Sequence, residues 1–321
     1  MILKIVNSIY LPFSMLHRMY YDTAGGAKKP HCKVISVGSI FAGGTGKTPL
    51  SDWIIKHLTH NGKKVVLLSR GYGRKTKEIV FVNPHGAGSE SYDFKTIGDE
   101  PLMLKKRNPN VPIIVGRNRV QTAFLGYEKF KPDVILLDDG FQHRRLKKDI
   151  DITTVPVVDE MRYLWKREPL SSMKRASAVV IKGNQEQAEK WQRFNMDILA
   201  GFSYKPSAIY SFGEDKFYPV DFIKEKKTVV FCGIAGPKRF EDMLKENKAE
   251  IVQFFRFPDH YAYTDRDIEK IYRSAQKGQL ILTTQKDGVR LPSSAQLLPV
   301  YILLVDVCWT FGKERFIEIL A

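Results

Sequence analysis

Apolar residues along this chain gather into short runs separated by stretches of helical periodicity. Lys33–Val37, Lys64–Ser69, Val111–Val115, Asp133–Leu137, Asp149–Thr154 and Ala178–Lys182 are rich in Val, Ile and Leu and short enough to be strands buried on both faces. Between the first two, Leu50, Trp53, Ile54, Ile55 and Leu58 recur at helical spacing, and a further helix runs from about Arg119 to Lys129. Strands alternating with helices predict an α/β fold built on a mostly parallel, doubly wound sheet. From about Phe202 the texture changes. Residues 204–220 carry aromatics, Pro and Gly without helical periodicity, and predict a hinge or linking ribbon. Strands are expected again at Thr228–Cys232, Glu250–Phe255, Gln279–Thr283 and Pro299–Leu304, with helices between them, forming a second, smaller α/β domain.

The first residues follow a different rule. Ile2, Ile5, Val6, Ile9, Phe13, Leu16 and Tyr20 fall on one face of a helix, with Lys4, Asn7, Ser8, Ser14 and Arg18 on the other and Pro12 as a kink. No small-residue cleavage site follows at the distance a secretory signal needs, and Lys4, His17 and Arg18 interrupt any spanning helix. Two readings stay open: a helix packed on the core, or one lying in a membrane surface. The expected organisation is an amphipathic helix over 1–25, a nucleotide domain over 26–203, and a ribbon with the smaller domain over 204–321.

Chemistry enters at the end of the first strand. Gly43-Gly-Thr-Gly-Lys-Thr48 follows a buried strand and precedes a helix, which is the context a phosphate-binding loop requires. Backbone N–H groups of Gly43, Gly44, Thr45 and Gly46 and the helix N-terminus would face phosphate oxygens. Lys47 would reach the β- and γ-phosphates, and Thr48 would offer its hydroxyl to Mg²⁺. Phe41 stands where the motif usually has its first glycine. The strand ending at Leu137 leads into Asp138-Asp139, carboxylates placed to orient Mg²⁺ directly or through water. Arg70-Gly-Tyr-Gly73 closes another strand at the sheet end where ligands of such folds sit. Gly98-Asp99-Glu100-Pro101 opens a helix, so Asp99 is also open to a plain capping role.

Composition narrows the partners. In 321 residues, 51 Lys and Arg against 35 Asp and Glu give a net charge of +16, suited to anionic membranes or phosphorylated substrates. Zinc-finger spacings and aromatic-glycine RNA signatures are missing, so nucleic acid is not favoured. Three widely spaced cysteines, Cys32, Cys232 and Cys308, fit a reducing compartment and no cysteine metal site.

The ordered series Val34-Ile-Ser-Val-Gly38, Gly43–Pro49, Ser69–Gly73, Gly98–Pro101, Asp138-Asp-Gly-Phe-Gln-His-Arg-Arg145, Arg167-Glu-Pro-Leu170, Phe257-Pro-Asp-His260 and Thr284-Gln-Lys-Asp287 resembles the tetraacyldisaccharide 4′-kinases, the lipid A kinases of Gram-negative bacteria. The resemblance implies transfer of the ATP γ-phosphate to the 4′-hydroxyl of an acylated glucosamine disaccharide 1-phosphate, with Mg²⁺. It also implies a position on the cytoplasmic face of the inner membrane, and no obligate protein partner is evident. It implies that Asp99 is the base, with His260 as its partner and Lys47 on the phosphates. Arg70, Gly71, Tyr72, Glu100, His143, Arg167 and Glu168 are placed on the acceptor side. Ser39, Gln285 and Ala235-Gly236 depart from the usual residues beside the phosphates and near the hinge. Two alternatives stand against it. A membrane switch ATPase would carry a second lysine where this chain has Ala42, and a soluble small-molecule kinase would use the first helix as core.

Overall fold

A computed structural model describes residues 27–84, 92–161 and 164–321; the expected amphipathic helix lies outside them. The described residues fall into two compact units, those of 27–203 with 307–321, and those of 204–306.

In the first unit the strands are β1 (Lys33–Gly38), β2 (Val65–Ser69), β3 (Val80–Val82), β4 (Ile113–Val115), β5 (Val134–Asp138), β6 (Ile150–Val155), β7 (Ala178–Lys182) and the start of β8 (Ala200–Ser211). They lie in the order β3-β4-β2-β5-β1-β6-β7-β8, and every pairing is parallel except β3 with β4. Burial on both faces explains the composition: β2, β5 and β6 are buried at every residue. β1 leads through the helix Lys47–His60 to β2, two places away, while β5 and β6 flank β1 on opposite sides. The strand order therefore reverses at β1, and the crevice beyond the carboxyl ends of β1 and β5 is the switch point where ligands of open α/β sheets bind.

The short edge strand β3 is not among the strands that the apolar pattern predicts. Three residues carry too little alternation to stand out, and antiparallel pairing with β4 makes the strand.

The second unit holds β9 (Lys216–Tyr218), β10 (Lys227–Cys232), β11 (Glu250–Arg256), β12 (Leu280–Thr284) and most of β13 (Val300–Phe311). The order is β11-β10-β12-β13-β8, with β9 antiparallel on β8. Helices Pro237–Glu246 and Asp265–Ser274 connect the parallel strands, the second opened by a reciprocal capping box between Thr264 and Asp267.

Two expectations change. The ribbon expected from residue 204 is instead the second half of a twelve-residue strand followed by a hairpin. Its residues alternate between exposed and half-exposed over 203–208 and between buried and half-exposed over 209–211, a period-2 signal that Lys205 and Pro206 obscure in the sequence. Residues 307–321, expected in the smaller domain, pack in the first unit. Phe316 is fully buried there against Trp53 and Trp309.

Candidate active site

The phosphate loop is fixed to the first unit at both ends. Its backbone turns through left-handed conformations at Gly43 (φ 111°) and Gly46 (φ 92°) before the helix begins at Lys47. Phe41, in place of a glycine, is fully buried and packs edge-on against Trp191, with ring centroids 6.1 Å apart. Backbone bonds from Ala42 N to Trp165 O (2.8 Å) and from Arg167 N to Ile40 O (2.6 Å) tie this entry to residues 165–167. A large side chain at position 41 thus anchors the loop in the core. The buried Thr45 hydroxyl lies 2.9 Å from that of Thr154 on β6.

Lys47 and Thr48 are both buried. Lys47 Nζ lies 3.4 Å from Gly43 O and 3.8 Å from Asp139 Oδ1. Facing it, β5 ends at Asp138, and Asp139 takes a left-handed backbone (φ 52°) that sends the two carboxylates different ways. Asp138 is buried and accepts a bond from Ser51 Oγ at 2.9 Å. Burial, with the charges of Glu100 and Asp139, pushes its carboxyl up to about 7. Burial also opposes ionisation of Asp139, but Lys47 and Arg167 outweigh it and hold that carboxyl below the usual range. Arg167 Nη1 reaches both Asp139 oxygens, at 2.8 and 2.7 Å.

After Asp139 the chain folds back over β1. A Cβ on Gly38 would lie 2.4 Å from Phe141 Cβ, too close for two non-bonded carbons, so only glycine lets the two loops meet. Gln142 Nε2 donates to Ser39 O at 3.0 Å, joining this loop to the phosphate loop directly. Beside it, Arg175 grips the buried Glu168 through two bonds (2.8 and 3.0 Å) and lies over the Phe141 ring. His143 is half-buried with no hydrogen-bond partner at Nδ1. Burial, then the charges of Arg119 and Lys148, push it down to about 4, so the ring is neutral at physiological pH.

On the other flank, Gly71 (φ 68°) and Gly98 (φ 96°) touch: a Cβ on Gly98 would lie 3.0 Å from Gly71 Cα. That contact brings the Arg70–Gly73 turn against the start of the helix Asp99–Arg107, leaving Arg70 and Tyr72 exposed. Asp99 is buried as the first helical residue and its Oδ1 accepts from Glu100 N at 2.9 Å. Gly98 occupies the capping position, so Asp99 is not the N-cap.

The structure therefore gathers Lys47, Thr48, Asp138, Asp139, Glu100 and Arg167 around the carboxyl ends of β1 and β5. His260 belongs to the second unit, where it is exposed and left-handed (φ 61°).

Two participants escaped the sequence reading. Ser51, one helical turn after Lys47, shares its face and holds Asp138. Arg119 is almost wholly buried and donates to Gly116 O (3.0 Å) and Asp138 O (3.3 Å). Burial pulls its guanidinium down to about 10 against the pull of Asp138 and Asp139. A signal existed, since a cation in the first turn of a helix opposes the helix dipole and needs another reason to be there.

A glycine-rich loop before a helix, a lysine and threonine at its start, and paired aspartates at the end of the neighbouring strand define a phosphate-loop protein of the nucleotide-hydrolysing and phosphoryl-transferring class. The family model for tetraacyldisaccharide-1-P 4′-kinase matches residues 1–321. A tetraacyldisaccharide 4′-kinase of Syntrophus aciditrophicus is 30% identical, over 96% of this chain and 88% of that one. One from Koribacter versatilis is 35% identical, over 85% and 84%. The crystal structure of LpxK from Aquifex aeolicus in complex with ATP superposes with a TM-score of 0.81 at 28% identity, covering 99% of this chain and 97% of that one. The chain belongs to the tetraacyldisaccharide 4′-kinase family. It is a kinase of lipid A biosynthesis that phosphorylates the 4′-position of an acylated disaccharide 1-phosphate.

Proposed function

We propose that the switch-point crevice of the first unit takes MgATP and that Asp99 is the base for the sugar hydroxyl. The carrying observation is the approach of Lys47 to Asp139, at 3.8 Å, with Ser51 of the same helix holding Asp138 at the end of β5. The loop amides, the helix N-terminus and Lys47 bind the triphosphate oxygens.

Whether a divalent cation suits the site is a question of donors. Hard oxygens are present on Thr48, Asp138 and Asp139, and the repulsion that Glu100 and Asp139 exert on Asp138 is what a cation relieves. Among the described residues no three His, Cys, Asp or Glu side chains form a metal cluster of their own. Mg²⁺ in kinase sites takes one or two carboxylates and completes its shell with phosphate and water. Thr48, Asp138 and Asp139 would hold Mg²⁺, which when bound neutralises charge on the phosphate oxygens. Ser51 orients Asp138, and Arg167 keeps Asp139 ionised.

Asp99, buried at a helix start, removes the proton as the hydroxyl oxygen bonds to the γ-phosphorus, and the bond from that phosphorus to the β,γ-bridging oxygen breaks to release ADP. His260 is assigned as its partner in moving that proton onward. Arg70, Gly71, Tyr72, Glu100, His143 and Glu168 take the acceptor sugar and its phosphate. An anionic lipid acceptor fits the charge of +16, and that charge supports a peripheral position on the cytoplasmic face of the inner membrane. Among the described residues no helix is long and apolar enough to cross a membrane.

The test is phosphate transfer from MgATP to an acylated disaccharide 1-phosphate in detergent micelles, beside an acceptor-free control. A lipid gaining one phosphate, lost in Lys47→Ala and cut at least ~100-fold in Asp99→Ala, is expected. Near-normal transfer by Asp99→Ala would remove it from the mechanism. Unlabelled lipid with steady ATP consumption would favour the switch ATPase.

A further inference from the structure

The motif Thr284-Gln-Lys-Asp287 is left without a task by the nucleotide site. In the second unit it closes β12 and opens the short helix Gln285–Gly288, and two consecutive residues of it converge on His260 by different routes. Asp287 is fully buried. Its Oδ1 accepts from Gly233 N (2.8 Å), Tyr263 Oη (2.8 Å) and Arg290 Nη2 (3.2 Å), while Oδ2 accepts from the Thr284 hydroxyl. Arg290, equally buried, donates to Gly233 O (3.3 and 3.2 Å), Tyr261 O (3.2 Å) and Lys286 O (3.0 Å). Gly233 O also accepts from His260 N at 3.2 Å. The carboxylate and the guanidinium thus hold both polar groups of Gly233 and the carbonyl just beyond His260. His260 itself sits at φ 61°, an unfavourable backbone for a residue with a Cβ, which persists only where its surroundings enforce it.

The ring is held separately. Lys286 Nζ lies 3.1 Å from His260 Nε2 and 3.5 Å from Asp259 Oδ1. An ammonium can only donate, so Nε2 is the acceptor and the imidazole in this contact is neutral, with its proton on Nδ1. Asp259 Oδ2, 3.7 Å from Nε2, adds the nearby negative charge.

We propose that Lys286 and Asp287 are positioning residues for His260. Asp287, through Arg290 and Gly233, imposes its backbone, and Lys286 fixes the plane and tautomer of its ring. The inference rests on the reading that His260 takes part in turnover. Holding the imidazole neutral with a defined tautomer is what a proton-relay partner requires, since a ring already protonated has no site for another proton.

Half-exposed Lys286 can be changed without opening the core, and this makes it the better probe. Lys286→Met and Lys286→Arg are made alone and in His260→Ala, and kcat and KM for ATP and acceptor lipid are measured with melting temperatures. Lys286→Met is expected to lower kcat about tenfold with both KM values unchanged, inside the ~100-fold that misplacing a reacting group costs. Lys286→Arg recovers most of the loss, and Lys286→Met has no further effect once His260 is Ala. Wild-type kcat in Lys286→Met, or the same loss in both backgrounds, would overturn the inference while leaving His260 in the mechanism. Wild-type turnover by His260→Ala would remove the underlying reading and the inference with it.

Discussion

Two buried carboxylates, one in each unit, show how different a buried charge can be. Asp287 in the second unit receives a backbone N–H, two hydroxyls and a guanidinium, so its lone pairs are taken up by the protein. Asp138 in the first unit receives the Ser51 hydroxyl and faces the repulsion of Glu100 and Asp139. Both are aspartates at or just beyond the end of a parallel strand. A carboxylate satisfied from all sides is a structural rivet. One that is buried, desolvated and crowded by like charge raises the energy of its own unit and is explained only by something that binds there.

The contrast makes predictions that can be ranked. Largest is the functional split: Asp138→Asn should cut phosphate transfer at least ~100-fold in the lipid assay, because a neutral amide neutralises no cation and cannot replace the ionised ligand. Equal transfer by wild type and variant would mean that the crowding at Asp138 serves no ligand.

Next is a stability loss in the second unit. Asp287→Ala strands the buried Arg290, and urea unfolding should show a loss of about 3–5 kcal/mol. A loss under ~1 kcal/mol would mean that the two carboxylates are not different in kind.

Third is a pH effect of opposite sign to the usual one. Because the folded protein holds the Asp138 proton up to about 7, it binds more protons than the unfolded chain between pH ~4 and 7, so this group's contribution to stability falls as pH rises through that window. Without ligand, Asp138→Asn should therefore melt higher than wild type at pH 8, by on the order of 1–3 kcal/mol, with the gain vanishing near pH 4. Mg²⁺ should raise the wild-type melting temperature more at pH 8 than at pH 5. An advantage for the variant that stays constant across pH would sink the electrostatic account.

Smallest is a control on the second unit's surface. Arg273→Gln breaks an exposed pair with Glu269 and should change stability by no more than about 0.5 kcal/mol.

How much of this was legible differs between the units for the same reason. The phosphate loop and the Asp138-Asp139 pair could be read because their chemistry lies in one short stretch flanked by a strand with a strong apolar pattern. Lys47 and Thr48 declare themselves by spacing alone. Asp287 is bonded to Gly233, 54 residues away, and to Tyr263, 24 residues away, and no local pattern carries such a link. Arg119 belongs to the same group, recognisable as a cation where the helix dipole disfavours one but assignable only once β5 is beside it. The strand misread as a ribbon after residue 204 and the return of residues 307–321 to the first unit fail for a related cause. The change of composition near Phe202 falls inside one continuous strand and so does not mark an element boundary, and the burial of Phe316 against Trp53 depends on partners hundreds of positions apart.

The contact between Gly38 and Phe141 also has a meaning for heredity. Every one-base change in a glycine codon is silent, ends the chain or installs a side chain, and here even the smallest would place a carbon 2.4 Å from its neighbour. Position 38 thus has no mild substitution. Drift can reshape the sequence around the two loops, but the seam where they meet is inherited whole or lost.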